Sequence, residues 1–280
     1  MQLAVNHLRL PLSFLCLLAG LAAPAQADEY IGLVHPAHEL VLSMGVGGVV
    51  SKINVRHGQM VRSNQALLVL DDRMQAIEAN RRKVVLDDTG ELKATEERVR
   101  MLKTMVNDTR GVFEKTGSIS RDEMNKLDIE YSGARGRLEQ LEAQKRRERL
   151  EYDGALEELQ MRRLIAPVAG VITRIEPKVG EWAKPGETLM MLVDASVCNL
   201  TTNLPLKSVQ GLRPGMTLPV RFESAANAPA VTGKIWFVSS VADPASGLVE
   251  VRLSFANPGL RIRPGIKGMI DIPGSDGKLR

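Results

Sequence analysis

The chain contains an ungapped internal repeat, and no other feature constrains its fold as tightly. Gly48-Val-Val-Ser-Lys-Ile-Asn-Val-Arg-His-Gly58 returns 122 residues later as Gly170-Val-Ile-Thr-Arg-Ile-Glu-Pro-Lys-Val-Gly180. The match continues through Leu67-Leu-Val-Leu70 and Leu189-Met-Met-Leu192. Seven of 25 positions are identical, from Gly48/Gly170 to Asp72/Asp194, and Lys52/Arg174, Arg56/Lys178 and Arg62/Lys184 keep their charge. Each copy opens with a β-rich run (residues 49–55 and 171–175) and turns at Gly58 or Gly180, where positive φ is expected. A second turn follows at Ser63-Asn64 or Pro185-Gly186, the latter a type II signal. A second apolar strand then covers residues 66–70 or 188–193. Either copy alone leaves its apolar face wet; packed together they close a small β-sandwich.

The segment between the copies has helical periodicity. Met124, Leu127, Tyr131, Ala134, Leu138 and Leu141, then Tyr152, Ala155 and Leu159, fall in alternating steps of three and four. This is a heptad seam in which Lys145 and Glu148 occupy two slots. The preceding arm carries Val85, Leu92, Val99, Leu102, Val106 and Phe113 on one stripe, with Thr95 and Thr109 between them. In the connecting Lys115-Thr-Gly-Ser-Ile-Ser120, Gly117 suits a helix C-cap, and Ser120 with Glu123 forms a capping box. The prediction is an antiparallel coiled-coil hairpin whose arms of ~40 residues reach about 60 Å. Folding the arms about residue 118 sets Lys145 and Glu148 against Asp88 and Glu91, where Asp87-Asp88-Thr89-Gly90 interrupts the first stripe. Two accounts stand open: a solvated weak point with a kink at Gly90, or a charge-paired layer that locks register. Under the second, leucine at both Lys145 and Glu148 raises the melting temperature.

Beyond Asp194 the chain turns β-rich, with strands expected over residues 199–204, 217–222, 233–238, 248–255 and 268–272. Leu212-Arg-Pro-Gly215 and Ile262-Arg-Pro-Gly265 are paired turn signals. Five short strands at this spacing predict a small antiparallel β-barrel. At the other end, Arg9, an apolar run of 14 residues over 10–23 and Ala25-Gln26-Ala27 before Asp28 read as a secretory signal peptide. The run falls short of the ~20 residues that span a bilayer. After cleavage only Cys198 remains of the two cysteines, which excludes an intramolecular disulfide.

The remaining 36 basic and 33 acidic residues are interspersed along helices, as solvated faces are and nucleic-acid footprints are not. His35 and His38 lie in a Pro-containing segment without a third ligand and read as surface groups, so no metal site is expected. No phosphate loop, Cys/His pair or nucleophile elbow is present, so neither catalytic residues nor a cofactor are expected. The fold class is multidomain α+β: a split β-sandwich with an inserted antiparallel helical hairpin, followed by a small antiparallel β-barrel.

The repeat resembles the two halves of a biotinyl/lipoyl carrier domain, with residues 72–164 inserted where a carrier displays its modified lysine. A split lipoyl-like domain with a helical insertion resembles the periplasmic adaptor, or membrane fusion, proteins of haemolysin-D-like and resistance–nodulation–division (RND) efflux systems. Val241-Ala-Asp-Pro-Ala-Ser-Gly-Leu-Val-Glu-Val-Arg252 is similar to the central hairpin of the adaptor barrel. Asn257-Pro-Gly-Leu-Arg-Ile-Arg-Pro-Gly265 is similar to the segment before its last strand. The expected boundaries are a signal peptide (1–27), a first lipoyl-like half with an N-terminal lead strand (28–72) and the hairpin (73–163). A second half (164–194), the barrel (195–274) and a tail (275–280) complete them.

The resemblance implies a non-enzymatic adaptor in the periplasm of a Gram-negative bacterium. It would link an inner-membrane transporter, RND-type favoured, to an outer-membrane TolC-like channel, and would self-associate into a ring. The tip residues implied to bind the channel are Arg110, Phe113, Gly117 and Ser120. Ser120 matches the family's Ser and Phe113 takes the place of its usual Leu; Arg110 lies one residue nearer to that position than the family's Arg. RND adaptors usually add a membrane-proximal domain built from both termini, for which the short N-terminal lead and the eight residues after the last expected strand (268–272) are expected to leave no room. Haemolysin-type adaptors typically keep an N-terminal membrane helix, which the short apolar run does not supply. The competing assignment is a periplasmic coiled-coil structural or interaction protein without a transporter.

Overall fold

The computed structural model describes residues 28–223 and 230–272, so the expected signal peptide and C-terminal tail lie outside the described residues. The chain divides into two units. One comprises Pro36–Val197 with Asn257–Arg261; the other takes the described residues within 28–35, 198–256 and 262–272. Strands β1 (Asp28–Leu42) and β8 (Met190–Pro205) contribute residues to both.

The first unit contains β2 (Gly48–Ile53), β3 (Met60–Val61), β4 (Ala66–Leu70), β5 (Arg163–Ile165), β6 (Gly170–Ile175) and β7 (Trp182–Ala183). One sheet runs β5-β4-β2-β7, and β6 pairs with β3 on one side and β8 on the other. The repeat is written into its hydrogen bonds. Gly58 N–H donates to Ile172 O and Gly180 N–H to Val50 O, both at 2.8 Å. Asn64 N–H donates to Ala166 O and Gly186 N–H to Met44 O. Asn54 N–H bonds Leu67 O just as Glu176 N–H bonds Leu189 O. In every pair the partners are related by the same 122-residue offset, so the halves exchange bonds about a pseudo-two-fold axis.

Side chains follow suit. Gln59 accepts from Arg56 N–H, and Glu181, its counterpart, accepts from Lys178 N–H, at 2.9 Å each. Gly58 (φ 76°) and Gly180 (φ 93°) take the expected left-handed conformation. Asn64 (φ 62°) does so where the second copy has Gly186 (φ 75°), because Asn tolerates that region better than other side chains. Leu67/Leu189, Leu70/Leu192 and Val50/Ile172 are all fully buried in one core.

Between β4 and β5 the chain forms α1 (Arg73–Asp87), α2 (Gly90–Thr116) and α3 (Arg121–Gln160). Along α2 and α3 the seam is as the heptads predict, with Leu102 and Val106 of α2 and Met124, Ala134, Leu141 and Ala155 of α3 buried; in α1 the expected Val85 is exposed and Ala79 is buried instead. Among the described residues no helix is long and apolar enough to cross a membrane.

In the second unit the strand order is β1-β12-β9-β10-β11-β8, and a further β1–β8 pairing joins the ends of the run. Here β9 is Thr217–Phe222, β10 Val231–Ala242, β11 Leu248–Ala256 and β12 Lys267–Ile272. Val220, Ile235, Val251, Leu253 and Ile270 alternate inward to form the core, with relative exposures of 0%. A short helix, α4 (Leu206–Val209), follows β8. All five expected strands are present. The sequence missed the sixth: residues 28–33, grouped there with the first lipoyl half, pair with β12 from Asp28↔Ile272 to Leu33↔Lys267.

Candidate functional site

The hairpin ends in a well-terminated turn. Gly117 is the C-cap of α2, left-handed at φ 66°, and its N–H donates to Phe113 O at 3.1 Å. Thr116 Oγ1 donates to Val112 O at 2.9 Å, and Ser118 Oγ donates to Thr116 Oγ1 at 2.8 Å. Ser120 is extended (φ −76°, ψ 149°) and its hydroxyl accepts from Glu123 N–H at 3.2 Å, opening α3. That is the Ser half of the expected capping box, worth about 1 kcal/mol. Because the arms are antiparallel, the negative end of α2 lies beside the positive end of α3, and their dipoles offset one another at the turn.

The four residues implied at the tip occupy different environments. Gly117 and Ser120 are exposed on the turn, and Phe113 is half-buried. Arg110, one turn further from the tip than Phe113, donates to Asp128 Oδ1 at 3.2 Å and so ties α2 to α3. Its side chain is 52% exposed and only Nη2 is engaged by Asp128, so it retains donors for a second partner.

A second polar site sits nearer the hairpin root. The first arm is interrupted not at Gly90, which starts α2, but at Asp88 (φ −71°, ψ 101°) and Thr89. Asp88 Oδ1 accepts from Gly90 N–H at 3.3 Å. The interruption frees carbonyls at the end of α1, and Lys145 Nζ takes two of them: Val85 O at 3.0 Å and Leu86 O at 3.3 Å. The same ammonium donates to Glu148 Oε2 at 2.7 Å, and Gln144 Nε2 donates to Glu148 Oε1 at 2.8 Å.

The Lys145 and Glu148 side chains are only 21% and 12% exposed, so the layer is not the solvated weak point of the first account. Nor do Lys145 and Glu148 pair with Asp88 or Glu91 across the arms, as the second supposed: their ion pair lies within α3, and Glu91 pairs with Arg137 of α3 instead. The Lys145 hydrogen bond, reinforced by Gln144, holds the Glu148 carboxyl below its ordinary 4.5. Leucine heptads signal a seam but carry no sign of a helix end capped from the opposite arm, and the acidic Asp87-Asp88 beside Gly90 was the only available hint.

No group of three or more His, Cys, Asp or Glu side chains among the described residues could hold a metal ion.

The comparisons agree with this architecture. The family model described as "RND MFP, barrel-sandwich hybrid domain" matches residues 42–195, more than half of the chain. The model "CusB-like, beta-barrel domain" matches residues 200–275. The "Cation efflux system protein CzcB" of Alcaligenes sp. (strain CT14) is 25% identical over 236 residues, covering 82% of this chain and 42% of the relative. An uncharacterized protein of Haemophilus influenzae is 22% identical over 224 residues, covering 80% of this chain and 51% of its own. The chain thus spans about half the length, or less, of these curated relatives.

Among solved structures, MacA from Actinobacillus actinomycetemcomitans superimposes with a TM-score of 0.67 at 17% identity, covering 89% of this chain and 79% of that one. The membrane fusion protein Spr0693 from Streptococcus pneumoniae R6 has a TM-score of 0.54 at 12% identity, covering 88% and 99% respectively. With a split sandwich, an inserted hairpin and a β-barrel each in place, the chain belongs to the RND membrane fusion protein family of efflux adaptors.

Proposed function

We propose that the protein is the periplasmic adaptor of an efflux or secretion complex. Its β units engage an inner-membrane transporter, RND-type by family, and its hairpin tip engages an outer-membrane TolC-like channel. Several copies stand side by side in a ring, since one hairpin cannot enclose a conduit. The observation that carries this reading is the hairpin itself: a continuous 40-residue helix, α3, packed on a capped partner arm and ending in a tight turn. Such an element spends its length on reach, about 60 Å at 1.5 Å per residue. Ser120, Gly117, Phe113 and the free edge of the Arg110 guanidinium offer hydroxyl, backbone, apolar and cationic contacts within the last turns.

A photo-crosslinking residue placed at Phe113 or Ser120 in cells tests this. Capture of an outer-membrane channel is expected, and the yield falls when the crosslinker is moved to Ala143, mid-way along α3. If transporter adducts form from the β units while no channel is captured from the tip, the bridging role is wrong.

A further inference from the structure

The outer face of the barrel carries a feature that bridging does not use. Strand β10 pairs with β11 through Ile235↔Leu253 and then Phe237↔Arg252, so Trp236 is an extra residue and the strand bulges. A regular strand turns successive side chains to opposite faces. The bulge suspends that alternation and leaves Trp236 and Phe237 both exposed, at 47% and 38%, while Ile235 stays buried. The rings lie 5.9 Å apart at 44°, and the Arg252 guanidinium sits 5.7 Å and 5.4 Å from their centroids. Glu250 accepts from Arg252 Nε, which fixes the guanidinium over the rings and leaves its Nη edge open.

Beside this platform is a groove of about 310 Å³ lined by Trp236, Arg252, His35, Asn199 and Thr201. Its volume lies at the small end of ligand sites. No described residue shares a side-chain hydrogen bond with His35, Asn199 or Thr201. The lining therefore offers one flat aromatic wall and several polar side chains that can donate, with Glu250, bonded to Arg252 Nε, as the acidic group beside Arg252.

We propose that this groove binds small planar aromatic carboxylates, the ring stacked on Trp236 and the carboxylate held by the Arg252 Nη edge with Asn199 and Thr201. The assignment is independent of what the hairpin tip binds. A bare anion would leave the indole wall unused, and a neutral ring would leave the donors unpaired. Only a ligand with both parts meets both.

Titrating the purified protein with 1-naphthoate tests the idea, with Trp182→Phe as background so that Trp236 alone reports. Saturable quenching is expected with Kd on the order of 0.1–1 mM. Arg252→Gln and Trp236→Leu (the latter followed by calorimetry) each weaken binding by about tenfold or more. Thr201→Val, nearly isosteric and so a control for folding, weakens it by about two- to fivefold. The neutral 1-naphthalenemethanol binds about tenfold more weakly. Equal affinity for acid and alcohol, unchanged affinity in Arg252→Gln, or no saturation by naphthoate overturns the proposal.

Discussion

Gly170→Ala is expected to lower the stability of the split sandwich by about 2–3 kcal/mol, whereas Gly48→Ala, at the equivalent position of the repeat, changes it by less than about 1 kcal/mol. A Cβ on Gly170 would lie 2.6 Å from Val193 O and 3.0 Å from Val193 C, atoms of the neighbouring β8 backbone that cannot yield without breaking the ladder. On Gly48 the closest atom, at 2.8 Å, is Arg162 Nη1, the end of a flexible side chain that can swing away from its bond to Gly47 O. Alanine also removes backbone freedom from the unfolded chain, which is worth about 0.4–1 kcal/mol in the opposite direction. At Gly170 the clash exceeds that gain; at Gly48 the two nearly cancel. Urea unfolding read by Trp182 in a Trp236→Phe background measures both. Equal shifts for the two variants would mean that the halves are mechanically equivalent, contrary to these distances.

Lys145→Met is expected to destabilise the hairpin by about 2–3 kcal/mol, far beyond the loss for an exposed pair. The reason is what is left behind. Glu148 would keep only Gln144, and the carbonyls of Val85 and Leu86 would lose their donor at the end of α1. A Lys145→Met/Glu148→Met double variant removes the orphaned carboxylate but not the orphaned carbonyls, so its stability falls between the single variant and the parent. This reverses the rise in melting temperature that the charge-paired, register-locking account predicts for leucine at both positions.

The contribution also has a pH signature. Glu148 is held below 4.5 in the folded chain, so its stabilisation is present above that value and is lost as pH falls through the lower folded one. The stability gap between the parent and Glu148→Gln, wide at pH 7, should close as the pH is lowered below 4.5. A gap that persisted in acid would assign the effect to packing instead of charge.

What could be read in advance follows the range of the interactions involved. The sandwich was legible because its information is stated twice: Gly58 and Gly180, or Leu67 and Leu189, vouch for one another across 122 residues. The turn at Gly117 and Ser120 was legible because caps are local, within four residues of the bonds they satisfy. The pairing of Ile31 with Met269 was not, since an alternating edge segment carries no mark of which distant strand will take it. The bulge at Trp236 was missed for a related reason: only the register with Arg252 reveals it. At the tip, the placement of Ser120 follows from its capping box and that of Phe113 from the apolar stripe, while the Arg110–Asp128 tie depends on how the two arms align.

The manner in which the hairpin leaves the sandwich sets how it carries mechanical load. It departs from the end of β4 and returns at the start of β5, antiparallel neighbours that pair through Leu68↔Leu164 and Val69↔Arg163. Arg163 also reaches Asp72 at 3.5 Å, and Leu70 N–H donates to Arg162 O at 2.9 Å, so the two roots are tied together. Tension applied along the hairpin pulls both strands the same way, and their mutual ladder feels no shear. The force passes instead to the β4–β2 ladder, loaded lengthwise across Val50↔Leu70, Lys52↔Val69 and Ile53↔Leu68, where several hydrogen bonds must break at once. The inserted arms thus act as a lever clamped at both roots, and the sandwich resists a pull at the tip as one body rather than opening strand by strand.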